Sequence, residues 1–193
     1  MPSYEQNLSP VLRSGGIRLR THVPEDFETL YQIDRLCYEP EIAYSRRELR
    51  DYLQLPGAEC VVAEAIESGL HRSYKTHSQA KDYKRTAQIA GFCITAHQDA
   101  WGYIITIDVL ERYRRRGVGT ALLTEQERRL TARGVREVEL ETATDNESAI
   151  AFWQKHGYRT RDVVKEYYPG GRDAYRMTKI ILGDENGRPL LRF

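Results

Sequence analysis

The residues with the clearest chemical potential are three arginines followed closely by two glycines. Residues 113–120 read Tyr-Arg-Arg-Arg-Gly-Val-Gly-Thr, so Arg114, Gly117 and Gly119 have the spacing Arg-x-x-Gly-x-Gly. A predicted strand ends at Val109, and a predicted helix begins near Gly117. Backbone N–H groups at a helix start are unpaired, glycine lets a ligand approach them closely, and arginine adds bidentate donors. The spacing therefore predicts a phosphate-binding turn.

Two common phosphate-binding motifs do not match this stretch. No Gly-Lys-Ser/Thr follows the glycines, which excludes a Walker loop, and the third glycine of the dinucleotide fingerprint is missing. Taken alone, the two glycines also fit an ordinary strand-to-helix loop with a solvated basic run. The prediction of a phosphate site therefore depends on the order of strand, Arg-x-x-Gly-x-Gly and helix.

A candidate acid–base group lies on the next predicted strand. Glu137, Glu139 and Glu141 alternate with apolar or hydroxyl residues, and Asp145 or Asn146 then provides a typical helix N-cap. A carboxylate at the end of a strand can accept a proton from a reacting group. Taken alone, the alternation favours three solvent-facing glutamates over a catalytic one, so the pattern does not assign this role by itself.

These segments, in this order, resemble the GNAT superfamily of N-acetyltransferases. Residues 114–119 match the family's acyl-CoA loop, Gln/Arg-x-x-Gly-x-Gly/Ala, and residues 146–158 match Asn-x-x-Ala-x-x-x-Tyr-x-Lys-x-Gly-Phe/Tyr. The segment 140–146 is similar to Leu-Glu-Val-x-x-x-Asn of the RimI-like N-terminal alanine acetyltransferases. The resemblance covers residues 103–177 and extends back toward Ile17.

The resemblance implies acetyl-CoA as the cofactor. In the family, backbone groups of the fourth strand hold the pantetheine arm, amides of the next turn hold the pyrophosphate, and the asparagine of the following helix contacts the cofactor. Trp153 stands where the family has a tyrosine, and we expect it to pack against the cofactor arm. The implied cofactor-binding residues are Ile107, Asp108, Val109, Arg114, Arg115, Arg116, Gly117, Val118, Gly119, Thr120, Asn146 and Trp153.

The same resemblance assigns Glu141 as the proton acceptor, the role of the matching glutamate in RimI-like enzymes. An attacking amine must be neutral, and only about a tenth of an α-amine is neutral near pH 7. The family's tyrosine protonates the leaving thiolate, whereas the indole N–H of Trp153 is not a useful acid. The pattern does not rank the remaining tyrosine donors, and Tyr168 is taken as the working candidate among Tyr158, Tyr167, Tyr168 and Tyr175.

The substrate is suggested by a turn-rich segment near the end of the chain. Residues 167–177 resemble the hairpin Tyr-Tyr-x-x-x-Glu-Asp-Ala-x-x-Met of N-terminal acetyltransferases, whose tyrosines line the peptide slot. Arg172 replaces the glutamate, so substrate preference can differ, and simple hairpin packing of the tyrosines stays open. The implied acceptor is the N-terminal α-amine, or a lysine, of a protein or peptide. A small-molecule amine and a non-catalytic acyl-CoA-binding module remain alternatives.

The elements that must position these residues follow from hydrophobic periodicity. Strands are predicted at 17–20, 58–65, 89–96, 103–109, 137–142, 158–165 and 174–181. Helices are predicted from Pro24, from a capping box at Ser45, over 117–133 and from Asn146 to His156. This order predicts an α/β (α+β) fold of GNAT type, with a mixed, mostly antiparallel central sheet of six to seven strands and about four helices on its two faces. The predicted organisation is a flexible leader at 1–16, a domain at 17–181 with a basic polar insertion at 67–87, and a tail at 182–193.

Composition limits the functions that the chain can have. A formal net charge of +1 over 193 residues argues against a nucleic-acid binder. The insertion at 67–87 is interpreted as a solvated or disordered segment between two strands, with a basic lip for an acidic substrate as the alternative. Cys37, Cys60 and Cys93 have no metal-ligand spacing with histidine, so no metal is predicted. The sequence shows neither an apolar run long enough to span a bilayer nor a signal-peptide core. We therefore expect a cytoplasmic protein, without membrane association, that is a monomer or a homodimer.

Overall fold

The computed structural model describes residues 16–66 and 87–182, which form one sheet with helices on both faces. The strands are β1 (Ile17–Thr21), β2 (Glu59–Ile66), β3 (Ala87–Gln98), β4 (Trp101–Val109), β5 (Glu137–Ala143), β6 (Arg159–Tyr168) and β7 (Arg172–Ile180). The helices are α1 (Phe27–Cys37), α2 (Arg46–Leu53), α3 (Val118–Ala132) and α4 (Glu147–Lys155). Short 3₁₀ helices at Pro24–Asp26 and Glu111–Tyr113 precede α1 and α3. The predicted leader, the tail beyond residue 182 and the insertion up to residue 86 lie outside the described residues.

The strand order in the sheet is β1-β2-β3-β4-β5-β7-β6. All neighbouring pairs are antiparallel except β4 and β5, which run parallel. Within the described residues, the sheet therefore has seven strands and is mostly antiparallel. This confirms the predicted fold class and the placement of two helices between the first and second strands.

Two hydrophobic cores lie on opposite faces of the sheet. One is formed with α3 and α4 and contains Leu122, Leu123 and Trp153. The other is formed with α1 and α2 and contains Leu30 and Leu49. We call these the α3 core and the α1 core. The central strands β2 and β3 are covered on both faces, which explains their long apolar runs.

The start of α2 shows why this segment folds as the sequence predicts. Ser45 Oγ accepts a hydrogen bond from Glu48 N at 3.2 Å, and the Glu48 carboxylate accepts one from Ser45 N at 2.8 Å. This reciprocal pair is the predicted capping box and satisfies two backbone donors that a helix start leaves unpaired. A cap of this kind contributes about 1 kcal/mol to stability.

A β-bulge in β4 determines which side chains reach each core. Ile94 pairs with Thr106 and Thr95 pairs with Ile104, so Ile105 is an extra residue without a partner in β3. Ile104 packs in the α3 core, whereas Ile105 packs against the α1 core. Such a bulge shifts the alternation of faces for every residue that follows it.

Most predicted boundaries agree with the structure to within a few residues. The clearest difference is the final hairpin, in which β6 continues to Tyr168 and β7 begins at Arg172. The two tyrosines of this segment, Tyr167 and Tyr168, are therefore the last two residues of β6. Ala87, predicted as the last residue of the insertion, is the first residue of β3.

Candidate active site

The site is centred on an opening between β4 and β5. These parallel strands pair only where Trp101–Tyr103 meets Glu137–Glu139, and they diverge beyond this point. The rest of β4, up to Val109, therefore presents backbone groups that β5 does not pair. Unpaired N–H and C=O groups on a strand edge can bind the amide groups of an extended ligand.

A turn rich in positive charge follows the open edge of β4. Gly117 forms the N-cap of α3 with φ of +83°, and a Cβ atom built there would have no atom within 4 Å. The first intrahelical bond runs from Ala121 N to Gly117 O at 2.9 Å, so the N–H groups of Val118, Gly119 and Thr120 precede the helical ladder. We call this open set of backbone donors the cradle; that it binds a phosphate remains a prediction.

The three arginines of the turn have different environments. Arg114 Nε donates to the backbone oxygen of Val109 at 2.9 Å, which ties the turn to the end of β4. Arg115 is exposed and has a positive φ of 60°, and Arg116 is exposed. Arg115 and Arg116 are therefore open to solvent next to the cradle, whereas Arg114 also has a structural role.

Glu141 lies on the face of β5 opposite the α3 core, beside the opening. Its side chain is only 6% exposed. Tyr103, on β4, donates its hydroxyl hydrogen to Glu141 Oε2. Arg176 Nε on β7 donates to Glu141 Oε1 at 3.0 Å. The carboxylate is therefore oriented by one neighbour on each adjacent strand.

The hairpin tyrosines complete this side of the opening. Tyr168 donates its hydroxyl hydrogen to the backbone oxygen of Glu141 at 3.5 Å, and the hydroxyls of Tyr167 and Tyr103 are 3.4 Å apart. Burial raises the pKa of Tyr168 and of Tyr103, so both phenols are protonated at neutral pH. The predicted candidates Glu141 and Tyr168 thus lie together.

The other two tyrosines considered as donors lie elsewhere. Tyr158 is 1% exposed within the α3 core, and Tyr175 packs against the same core. Their placement favours packing roles. The structure therefore ranks candidates that the sequence could not, and it favours Tyr167 and Tyr168.

Comparison with known proteins decides the family. The family model described as "Acetyltransferase (GNAT) family" matches residues 27–158, which is most of the chain. The chain belongs to the GNAT acetyltransferase family. The predicted membership is therefore confirmed.

Among curated relatives of this GNAT chain, an N-alpha-acetyltransferase of Sulfurisphaera tokodaii is 40% identical over 77 residues, covering 39% of this chain and 46% of the relative. N-alpha-acetyltransferase 30 of Schizosaccharomyces pombe is 35% identical over 75 residues, covering 39% of this chain and 50% of the relative. The chain spans about half the length of the curated relatives it matches.

Solved structures show the same fold. The ribosomal-protein-S18-alanine N-acetyltransferase of Escherichia coli superposes with a TM-score of 0.68 at 23% identity, covering 92% of this chain and 99% of that one. Arabidopsis thaliana NAA60, solved in complex with acetyl-CoA, gives a TM-score of 0.69 at 22% identity, covering 86% and 99%. At these identities the likeness establishes the GNAT fold and not the substrate.

Two predicted cofactor residues have clear structural roles in this GNAT domain. Asn146 Oδ1 accepts hydrogen bonds from Ala149 N at 3.1 Å and Ser148 Oγ at 3.0 Å, so it is the N-cap of α4. Trp153 is 5% exposed, and its ring lies 5.3 Å from that of Tyr158 in the α3 core. Contact of either residue with the cofactor remains a prediction.

The side chain of Asp108 points away from the α3 core. It is 1% exposed, accepts a hydrogen bond from Thr106 Oγ1 at 2.7 Å and lies near the end of α1, where Tyr38 Oη is 3.1 Å from Thr106 Oγ1. Burial raises the pKa of Asp108 to about 7. For cofactor binding, the backbone of Asp108 is the part that lies on the strand edge.

Sequence reasoning missed Tyr103 and Arg176 as neighbours of Glu141. Tyr103 lies in a strand that the sequence predicts. It pairs with Glu139, which is two residues before Glu141 on the same face of β5. Arg176 is the direct cross-strand partner of Glu141. To identify either residue as a neighbour of Glu141, one must know the strand order and the register of the sheet.

Among residues 16–66 and 87–182, no cluster of three or more histidine, cysteine or acidic residues has the geometry of a metal site. None of the helices in the same ranges has the length and apolar character needed to cross a bilayer.

Proposed function

We propose that this chain transfers the acetyl group of acetyl-CoA to a primary amine, and that the amine is the N-terminal α-amine of a protein or peptide. The observation that carries the proposal is the opening between β4 and β5, with a backbone cradle at one end and a buried carboxylate at its side. The relatives named N-alpha-acetyltransferase support the same class of acceptor.

The cradle and the strand edge fit the chemistry of coenzyme A. A pyrophosphate needs several donors and positive charge, which the N–H groups before the α3 ladder, Arg115 and Arg116 can supply. A pantetheine arm carries amides that can pair with an open strand edge, here Ile107–Val109. When bound, acetyl-CoA supplies an acetyl group activated as a thioester.

Glu141 is proposed to accept the proton that the attacking amine must lose. Its carboxylate lies beside the opening, and the Tyr103 hydroxyl and Arg176 fix its orientation. A positioned general base contributes about 10²–10⁴-fold to a rate. Tyr168, protonated and in contact with the Glu141 backbone, is proposed as the proton donor for the departing thiolate.

Aromatic side chains around the opening support a peptide as the acceptor. The rings of Tyr44 and Tyr52 are 4.9 Å apart on the α1–α2 side, and those of Tyr167 and Tyr168 are 4.9 Å apart on the hairpin side. Tyr44 also donates its hydroxyl hydrogen to the backbone oxygen of Ile105 at 3.1 Å. Rigid phenol rings with a polar tip bind an extended peptide backbone well.

The compartment and the assembly state belong to the same proposal. Cys37, Cys60 and Cys93 are free thiols, which supports the predicted reducing, cytoplasmic location. The predicted assembly, a monomer or a homodimer, remains a prediction.

The proposal is tested with matched acceptors and purified protein. One peptide is prepared with a free N-terminus and no lysine, a second with a blocked N-terminus and one lysine, and spermidine serves as a small amine. Release of the coenzyme A thiol and the product mass are measured, together with acetyl-CoA binding by calorimetry. We expect turnover of the free N-terminus. Turnover of spermidine alone would indicate a small-molecule enzyme, and binding without turnover of any amine would indicate a non-catalytic acyl-CoA module.

A further inference from the structure

Arg176 is the charged partner of Glu141, and its position follows from the register of the sheet. The two residues are directly opposite each other on β7 and β5, and their side chains meet at 3.0 Å. The Arg176 side chain is 33% exposed, whereas that of Glu141 is 6% exposed. The pair therefore joins a buried carboxylate to a cation that remains partly hydrated.

Burial alone would favour the neutral form of the Glu141 carboxyl group, because a charged group loses hydration when it leaves water. A cation at hydrogen-bond distance opposes this effect, and it also directs one oxygen of the carboxylate. The hydrogen bond to Glu141 in turn raises the pKa of Arg176. The second oxygen of Glu141 accepts the Tyr103 hydroxyl hydrogen.

Other charged groups near the pair touch Arg176 rather than Glu141. Glu139 Oε1 lies 3.4 Å from Arg176 Nε, and Asp162 Oδ1 lies 3.6 Å from Arg176 Nη1. Tyr168 contacts only the backbone oxygen of Glu141. Arg176 therefore lies between three carboxylates, and Glu141 is the most buried of them.

We propose that Arg176 is a positioning residue for acetyl transfer, which keeps the Glu141 carboxylate ionised and oriented at the opening between β4 and β5. The proposal rests on the proposed function, in which Glu141 accepts the amine proton. Arg176 acts through Glu141 and needs no contact with either substrate.

The test compares Arg176→Gln and Arg176→Lys with the parent enzyme across pH 5 to 9. The pH dependence of kcat/KM reports the free enzyme and the free substrate. The break that belongs to the peptide α-amine must stay in place and serves as an internal reference. The other break belongs to Glu141 and lies at lower pH. In Arg176→Gln we expect this Glu141 break to move up by about one pH unit, the lower end of the shift that an adjacent opposite charge produces. Arg176→Lys should restore most of this shift.

Arg161→Gln is the matched control. Arg161 lies on the same face, pairs with Glu139 at 3.2 Å, and is 53% exposed, so its loss removes the same charge without touching Glu141. Its pH profile should superimpose on that of the parent. A profile of Arg176→Gln that also superimposes, or a rate reduced equally at every pH, would overturn the positioning role.

A measurement without turnover separates this inference from the proposed function. Infrared titration of the protein without ligands identifies the Glu141 carboxyl band by its loss in Glu141→Gln. We expect Arg176→Gln to shift this band's titration to higher pH, even if no acceptor is turned over. An unshifted band refutes the role of Arg176. A wild-type rate in Glu141→Gln would instead refute the proposed base, and with it the proposal for Arg176.

Discussion

Glu141 combines burial with two hydrogen-bond donors from different strands. The parallel pairing of β4 with β5 brings Tyr103 to one oxygen, and the register of β5 with β7 brings Arg176 to the other. Glu137 and Glu139 share its face but lie farther from the opening. The alternation of three glutamates allowed all of them to face solvent. In the structure, the position of Glu141 near the end of β5 buries its carboxylate, so the solvent-facing interpretation does not hold for this residue.

Replacement of Glu141 by glutamine should lower kcat by about 10²–10³-fold, because the amide cannot accept the amine proton. Acetyl-CoA affinity should stay within about twofold of the parent, since the cradle is formed by the turn before α3. Steady-state rates and calorimetry provide the two measurements.

Glu137→Gln is the control for this substitution, because it removes the same charge from the same strand face. It should retain the parent rate. Equal loss in both variants would indicate a general effect of charge on the strand and would remove Glu141 from the mechanism.

At the scale of elements, the site depends on how α3 begins and on how β4 leaves β5. The positive φ at Gly117 directs the first N–H groups of α3 toward open space, and the short pairing of β4 with β5 opens the neighbouring strand edge. A side chain at Gly117 would meet no protein atom within 4 Å, so the space above it is available to a ligand.

Replacement of Gly117 by alanine should therefore weaken acetyl-CoA binding by more than tenfold while the fold persists. The left-handed conformation costs a non-glycine residue about 1–2 kcal/mol. Gly134, just beyond the other end of α3, has a φ of +82° and equally open surroundings.

Gly134→Ala should accordingly show the same loss of stability with unchanged affinity for acetyl-CoA. Urea unfolding and calorimetry on both variants test the pair. Equal affinities in the two proteins would refute the cradle.

A second link between elements crosses the rim of the opening. Arg172, at the start of β7, donates to Glu39 after α1 at 3.0 Å, although the two residues are far apart in sequence. Exposed ion pairs contribute little to stability, about 0–1 kcal/mol. The pair should therefore act mainly on position. It joins the α1–α2 segment, which carries Tyr44 and Tyr52, to the β6–β7 hairpin, which carries Tyr167 and Tyr168.

We expect Arg172→Glu and Glu39→Arg each to raise the KM for a peptide several-fold, with little change in kcat. The charge-exchanged double variant, with Arg172→Glu and Glu39→Arg, should recover most of the loss if the direct pair is responsible. Kinetics with one peptide complete this cycle. A double variant as weak as the sum of its parts would show that the pair does not couple the two segments.

At the scale of the whole molecule, two acidic residues are buried where α1 packs against the sheet, one on the helix and one on β4. Asp34 is fully buried and accepts a hydrogen bond from Tyr44 N at 2.8 Å, and burial raises its pKa to about 6. Asp108 is buried beside the same helix, with a pKa of about 7. Both are protonated in the folded protein at pH values where the unfolded chain has lost the proton.

The sign of the resulting pH dependence follows directly. Above about pH 4 the unfolded chain releases the Asp108 proton, whereas the folded protein keeps it until about pH 7, so stability falls as pH rises through this range. Asp108→Asn should remove this contribution. The quantity to compare is the free energy of unfolding of Asp108→Asn minus that of the parent. We expect this difference to be larger at pH 8 than at pH 5, by about 2 kcal/mol.

Urea unfolding at the two pH values measures the difference. Asp99→Asn, at an exposed turn, is the control and should follow the parent at both. If Asp108→Asn shows the same pH dependence as the parent, Asp108 is ionised in the folded state.

The amino-acid sequence by itself determined the features that arise within a contiguous segment. The open glycine turn before α3, the cap of α2 and the N-cap at Asn146 depend on residue types at fixed short spacing, because local backbone geometry decides them. The same short spacing identified the family. The tertiary structure decided what surrounds Glu141, because Tyr103 and Arg176 are 38 and 35 residues away in the sequence. Such contacts depend on strand order and on register. A shift of one residue along a strand would turn every side chain of that strand to the other face and remove these contacts.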